Sequence, residues 1–134
     1  MQPLGFVFRK LFVIFAQEIF VQMGAIQLVL LENSRDFIKS IPPQARKKLM
    51  YNVWRIVGGE KNSDIFKKLE NSKIWEFRAS IGGIAYRLFA FWDTETDTLI
   101  VATHGIVKKT QKTPSNEISK AEAIMKRYFE LKRG

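Results

Sequence analysis

The segment WEFRASIGGIAYRLFAFWDTETDTLIVAT, residues 75–103, decides the fold. Trp75, Phe77 and Ala79 alternate with Glu76, Arg78 and Ser80, a period of two that predicts a strand. Gly82-Gly83 predicts a turn, and the aromatic and apolar run at 84–92 predicts a central strand. The polar stretch DTETD at 93–97 reads as a second turn, after which 98–103 forms a third strand. Two hairpin connections in succession make a meander, which is antiparallel.

Working outward toward the N-terminus, residues 25–32 (AIQLVLLE) are short and apolar and predict a buried strand. Asn33 and Ser34 offer N-cap oxygens for a short helix reaching about Ser40. Pro42-Pro43 break it, and Pro43 suits the first position of a second helix. Leu49, Val53, Ile56 and Val57 recur at helical spacing, and Gly58-Gly59 ends that helix. Ser63-Asp64 predicts one more short helical turn to about Leu69. Toward the C-terminus, Thr113-Pro114 predicts the start of a last helix, with Ile118, Ala121, Met125 and Tyr128 as its apolar stripe. The expected order is β-α-α-β-β-β-α, a single α+β domain at 23–134 whose helices pack on a small, twisted, mostly antiparallel sheet.

Residues 1–22 form an N-terminal extension, expected to add a strand or helix to the domain or to be an over-extended start. Arg9, Lys10, Gln17, Glu18 and Gln22 interrupt its apolar residues, whereas a spanning helix needs about 20 apolar residues. Neither a membrane span nor a cleaved signal is expected.

The 134 residues contain no cysteine and one histidine. Disulfide frameworks, thiolate metal sites and cysteine nucleophiles are excluded, and the composition suits a reducing cytoplasm. The formal net charge is +9. The charge is concentrated in residues 35–78 and 104–134, which flank an acidic stretch at 79–103, and such a chain attracts polyanions.

Few residues are candidates for chemistry. His104 ends the third meander strand, where a lone histidine serves either structure or proton transfer. Gly105 frees the backbone there, and Lys108, Lys109 and Lys112 crowd a loop that enters a helix N-terminus. Together these predict an anion site, phosphate being the natural guest. Arg78 and Arg87 lie on paired strands, where they either share an anion or each pair with a carboxylate such as Glu76. Arg46, Lys47 and Lys48 form a further basic run. Trp54, Trp75 and Trp92 offer stacking surfaces for bases, with core packing as the default. Asp93, Glu95 and Asp97 do not have the spacing of a calcium loop, and no P-loop, dinucleotide fingerprint or nucleophile elbow is present.

WEFR at 75–78, YRLF at 86–89 and HGIVKKTQKTP at 104–114 resemble the HigB-type branch of the RelE/ParE toxin superfamily. The resemblance covers about residues 25–128 and implies a RelE-like fold and a toxin of a type II toxin–antitoxin system. The implied activity is metal-independent endoribonucleolytic cleavage of mRNA on the ribosome, with no cofactor. The implied partners are the mRNA and a cognate antitoxin, commonly a helix-turn-helix protein. Carried over by motif, Arg78 and Arg87 become phosphate clamps and His104 the general base or acid. Lys108 or Lys109 supplies charge or the complementary proton, and Lys109, Lys112, Arg46, Lys47 and Lys48 bind RNA. The alternative is a ParE-like toxin that binds DNA gyrase or another protein.

Overall fold

A computed structural model describes residues 19–23, 26–95, 99–108 and 112–134. The expectations for residues 1–18 and for Lys109 lie outside the described residues. The strands are β1 (Ile19–Met23), β2 (Ile26–Leu30), β3 (Phe66–Lys68), β4 (Trp75–Ile81), β5 (Ile84–Asp93) and β6 (Leu99–Lys108). The helices are α1 (Glu32–Ser40), α2 (Pro43–Val57) and α3 (Ser115–Arg133). The strands form one sheet in the order β1-β2-β6-β5-β4-β3.

The meander forms as its alternation predicts. Gly82 and Gly83 both have positive φ (59° and 79°), the conformation of a tight hairpin turn that matches strand twist. Arg78 then lies opposite Arg87. β2 joins the far side of the meander parallel to β6, with Gln27 against Leu99. Since the other neighbouring pairs are antiparallel, the sheet is mixed.

Helices cover both faces of the sheet. α1 and α2 close one face over Leu28, Phe77, Leu88, Ile100 and Ala102, with Leu49 and Val53 of α2 fully buried. α3 closes the other face, setting Ala121 and Tyr128 against Val29, Phe89, Phe91 and Val101. Burial on both sides explains why β2, β5 and β6 read as nearly continuous apolar runs. Tyr128 donates to the fully buried Asp93 at 2.7 Å, and Lys132 approaches the same oxygen at 2.6 Å, fixing α3 to the end of β5.

Several local expectations differ from the structure. The order contains two strands, β1 and β3, that the pattern of seven elements lacks. β1 spans the boundary drawn at residue 22 and pairs with β2. Residues 66–68 are a strand and not a helical turn, because Phe66 stacks on Phe77 and Trp75 at 4.3 and 4.8 Å between ring centroids. α1 begins after Leu31, and the Ser34 hydroxyl donates back to the Leu31 carbonyl at 2.6 Å instead of capping the helix. Thr113 does not cap α3 either; the N-cap is Pro114, with no side-chain cap. Gly105 serves packing: a Cβ there would stand 2.1 Å from the Phe37 ring.

The third meander strand carries an irregularity that positions His104. Leu88 pairs with Gly105 and Ala90 with Ala102, so Phe89 faces two residues, Thr103 and His104. This is a β-bulge. Ala102 and Gly105 both meet the α1–α2 layer although they stand three positions apart, an odd spacing that regular alternation would put on opposite faces. The extra residue resets the alternation and turns His104 to the α3 face, where its ring lies 4.9 Å from that of Phe89.

Candidate functional site

Strand pairing builds the first part of the site. Arg78 and Arg87 face each other across β4 and β5, with Glu76 two residues along the same face of β4. Like charges placed directly opposite destabilise a sheet, and Glu76 offsets the repulsion. Its Oε1 lies 3.5 Å from Arg78 Nε and 3.4 Å from Arg87 Nε. Its Oε2 accepts a hydrogen bond from the Thr113 hydroxyl at 2.9 Å. Thr113 in turn accepts from Lys108 Nζ at 3.1 Å. Of the two sequence alternatives, the structure shows the pairing with a carboxylate: the arginines stand opposite each other and share Glu76.

The balance at this cluster is three cations to one carboxylate. Arg87 is 3% exposed. Burial, then the charge of Arg78, pushes its pKa down, with Glu76 opposing. Lys108 is shifted down as well, by burial first and then by Arg87, again with Glu76 opposing. The Arg87 Nη1 donates to the Tyr86 carbonyl at 3.1 Å, but its Nε is buried without an aligned acceptor among the described residues. A buried donor left unsatisfied costs about 1–3 kcal/mol. A phosphate oxygen is the kind of acceptor that would remove that cost.

A cavity of about 320 Å³ opens beside the cluster, lined by Lys48, Asn52, Asp64, Arg78, Ser80 and Arg87. β3 pairs only with Trp75, Glu76 and Phe77, and beyond them the edge of β4 is met by the Ile65 carbonyl, which accepts from the Arg78 N–H at 2.9 Å. Asn52 donates to the Arg78 carbonyl at 2.8 Å, and Lys48 to the Ser80 carbonyl at 2.5 Å.

His104 forms a second part of the site. It is 3% exposed. Its Nδ1 lies 3.1 Å from the Thr103 hydroxyl and its Nε2 3.1 Å from Glu117 Oε1 on the first turn of α3. A carboxylate only accepts, so Nε2 carries a proton; the Thr103 hydroxyl beside Nδ1 also reaches the Phe89 carbonyl at 3.4 Å. Burial pushes the imidazole pKa below its ordinary value, the Glu117 hydrogen bond pulls the other way, and Lys120 adds to the lowering. Glu117 is the more open member, with 23% of its side chain exposed. No hydrogen bond or ion pair among the described residues joins His104 to Arg78, Arg87 or Lys108. Arg87 pairs with Ile106, between His104 and Lys108 on β6, and those two lie about 13 Å apart along the strand.

The remaining basic candidates are dispersed. Arg46 binds the C-terminal end of α1 through the Ile38 carbonyl at 3.0 Å and that of Lys39 at 3.2 Å. Lys47 is exposed and lines a separate cavity on α2 with Tyr51 and Trp54. Lys112 is exposed. Only Lys48 of that run meets the arginines in one cavity. Sequence reasoning left Thr113, Asn52 and Glu117 out of the site. An acidic residue in the first turn of a helix was the available signal for Glu117.

The family described as Phage derived protein Gp49-like (DUF891) matches residues 36–126. That is more than half of the chain and includes every residue of both parts of the site. The chain belongs to the Gp49-like family. This family is RelE-like and is associated with the toxins of toxin–antitoxin systems. A comparison with curated proteins found no match. Within the Gp49-like chain, no described helix is long and apolar enough to cross a membrane.

Proposed function

We propose that this Gp49-like chain is a cytoplasmic toxin of the HigB-type branch, with a RelE-like fold, that cleaves mRNA on the ribosome and is blocked by a helix-turn-helix antitoxin. Membership of a toxin-associated family supports the antitoxin partner. The observation that carries the nuclease reading is the convergence of Arg78 and Arg87 on the single carboxylate of Glu76, with Lys108 joined to the same carboxylate through Thr113.

RNA supplies its own nucleophile. The 2′-oxygen attacks the adjacent phosphorus, the bond to the 5′-oxygen breaks, and a 2′,3′-cyclic phosphate and a 5′-hydroxyl result. Arg78, Arg87 and Lys108 stabilise the extra negative charge on the phosphoryl oxygens. This charge stabilisation is assigned to the three side-chain cations, without a metal. The Glu117–His104 pair takes the proton of the 2′-hydroxyl. Glu117 is the accepting group, and the His104 Nε2–H holds it in place. Lys108, with its lowered pKa, returns a proton to the departing 5′-oxygen.

Mapping mRNA 5′ ends in cells expressing the full chain tests the proposal. New ends within codons of translated messages are expected. Trapped gyrase–DNA adducts without such ends would overturn it in favour of a gyrase-directed toxin.

A further inference from the structure

A second groove lies at the other end of β4, where β5 finishes and α3 ends. It has a volume of about 390 Å³, and its lining includes Lys68, Lys73, Trp75, Trp92, Phe129 and Arg133. Trp75 stacks on Phe66 at 4.8 Å, and Trp92 meets the same ring edge-on at 6.4 Å, so one phenylalanine fixes both indoles. Both tryptophans are half-buried and still line the groove. Arg133 stands over the Phe129 ring at 5.6 Å and pairs with Glu95 at 3.2 Å. Lys68 and Lys73 are exposed and make no ion pair or hydrogen bond among the described residues.

We infer that this groove holds a base of single-stranded RNA against the indoles, with the flanking phosphates on Lys68 and Lys73. Rigid aromatic surfaces bordered by free lysines combine the two features that bind single strands without sequence preference, stacking and backbone charge. An acidic peptide would use the lysines alone and not the indole surfaces that line the groove. The inference rests on the nuclease reading for its choice of polymer. Trp75 and Arg78 lie about 10 Å apart along β4 with their side chains on opposite faces of the strand, so a nucleotide in the groove is remote from the scissile phosphate.

The test uses the full chain carrying Trp54→Phe, so that only Trp75 and Trp92 report by fluorescence. The probe is a short 2′-O-methyl oligoribonucleotide, which lacks the nucleophile and stays intact. Saturable quenching is expected. Lys68→Glu with Lys73→Glu should weaken binding about tenfold and reduce the slope of log affinity against log salt by about 1.4, the counterion release of two lost phosphate contacts to a single strand. The milder Lys68→Gln, Lys73→Gln pair should act in the same direction, which guards against a fold defect in the reversed-charge variant.

Absent quenching, or an unchanged affinity and slope in both lysine variants, overturns the inference. So does a poly-glutamate peptide that binds more tightly than the oligonucleotide. Cleavage and quenching measured on the same unmodified chain separate the two proposals. Quenching that persists in a chain never seen to cleave leaves the groove standing while the nuclease reading falls, and a cleaving chain without quenching removes the groove alone.

Discussion

Arg78 sits directly opposite Arg87 in the β4–β5 ladder, and the two guanidinium Nε atoms approach the same oxygen of Glu76. A sheet gains nothing from two arginines in register, so their placement makes sense as charge held ready for an anion. Arg87→Ala should therefore lower RNA cleavage by about 10²–10³, the typical loss of one transition-state donor, with a cooperative urea transition at a lower midpoint because Glu76 keeps Arg78 but loses Arg87. End-mapping of mRNA at matched expression checks it, and full cleavage by the variant would remove Arg87 from the site.

Glu76 is the counterweight. It is 3% exposed, and Glu76→Gln leaves Arg87 buried without its carboxylate. Breaking a buried ion pair from one side costs about 3–5 kcal/mol, and the exposed part of Arg78 moves this toward the lower figure. The variant should unfold at a lower urea concentration and, where folded, bind inorganic phosphate more tightly than the parent. Equal urea midpoints would show that the carboxylate does not neutralise the pair.

His104 gives a pH dependence of known sign. Its pKa in the folded chain lies below the ordinary 6.5, so the unfolded chain takes up a proton first as pH falls. The contribution of His104 to stability is complete above about pH 6.5 and declines as pH drops through the lowered folded value. Urea midpoints at pH 7.5 and 5.5 should differ in that direction. His104→Gln should flatten the difference; an equally steep dependence in the variant would assign it elsewhere.

Gly105→Ala tests the packing of α1 on β6. The new methyl would meet Phe37 at 2.1 Å, and overpacking of this kind costs about 1–3 kcal/mol. Phe37→Leu in the same chain should recover part of the loss by giving the methyl room. Thermal or urea denaturation of the single and double variants measures both effects.

The meander and the helices α2 and α3 were legible because each advertises its period: alternation from Trp75 to Ser80, and Leu49, Val53, Ile56 and Val57 on one side of a helix. β3 was not legible. Three residues carry no period, and Phe66 becomes a strand residue only because Phe77 and Trp75 receive its ring. The bulge is equally silent in the segment IVATHG, yet it decides which face His104 occupies. The arginine pair was readable from the hairpin register. Thr113, Asn52 and Glu117 were missed because their roles depend on contacts between elements distant in sequence.

The parallel seam between β2 and β6 sets an order of events during biosynthesis. Gln27 meets its partner Leu99 only after the whole meander has been made, and contacts of such separation form late because loop closure precedes their reward. Lys108 and His104 belong to that same closing strand. A nascent chain therefore leaves the tunnel with its arginines already synthesised but the strand that brings Lys108 and His104 beside them not yet in place.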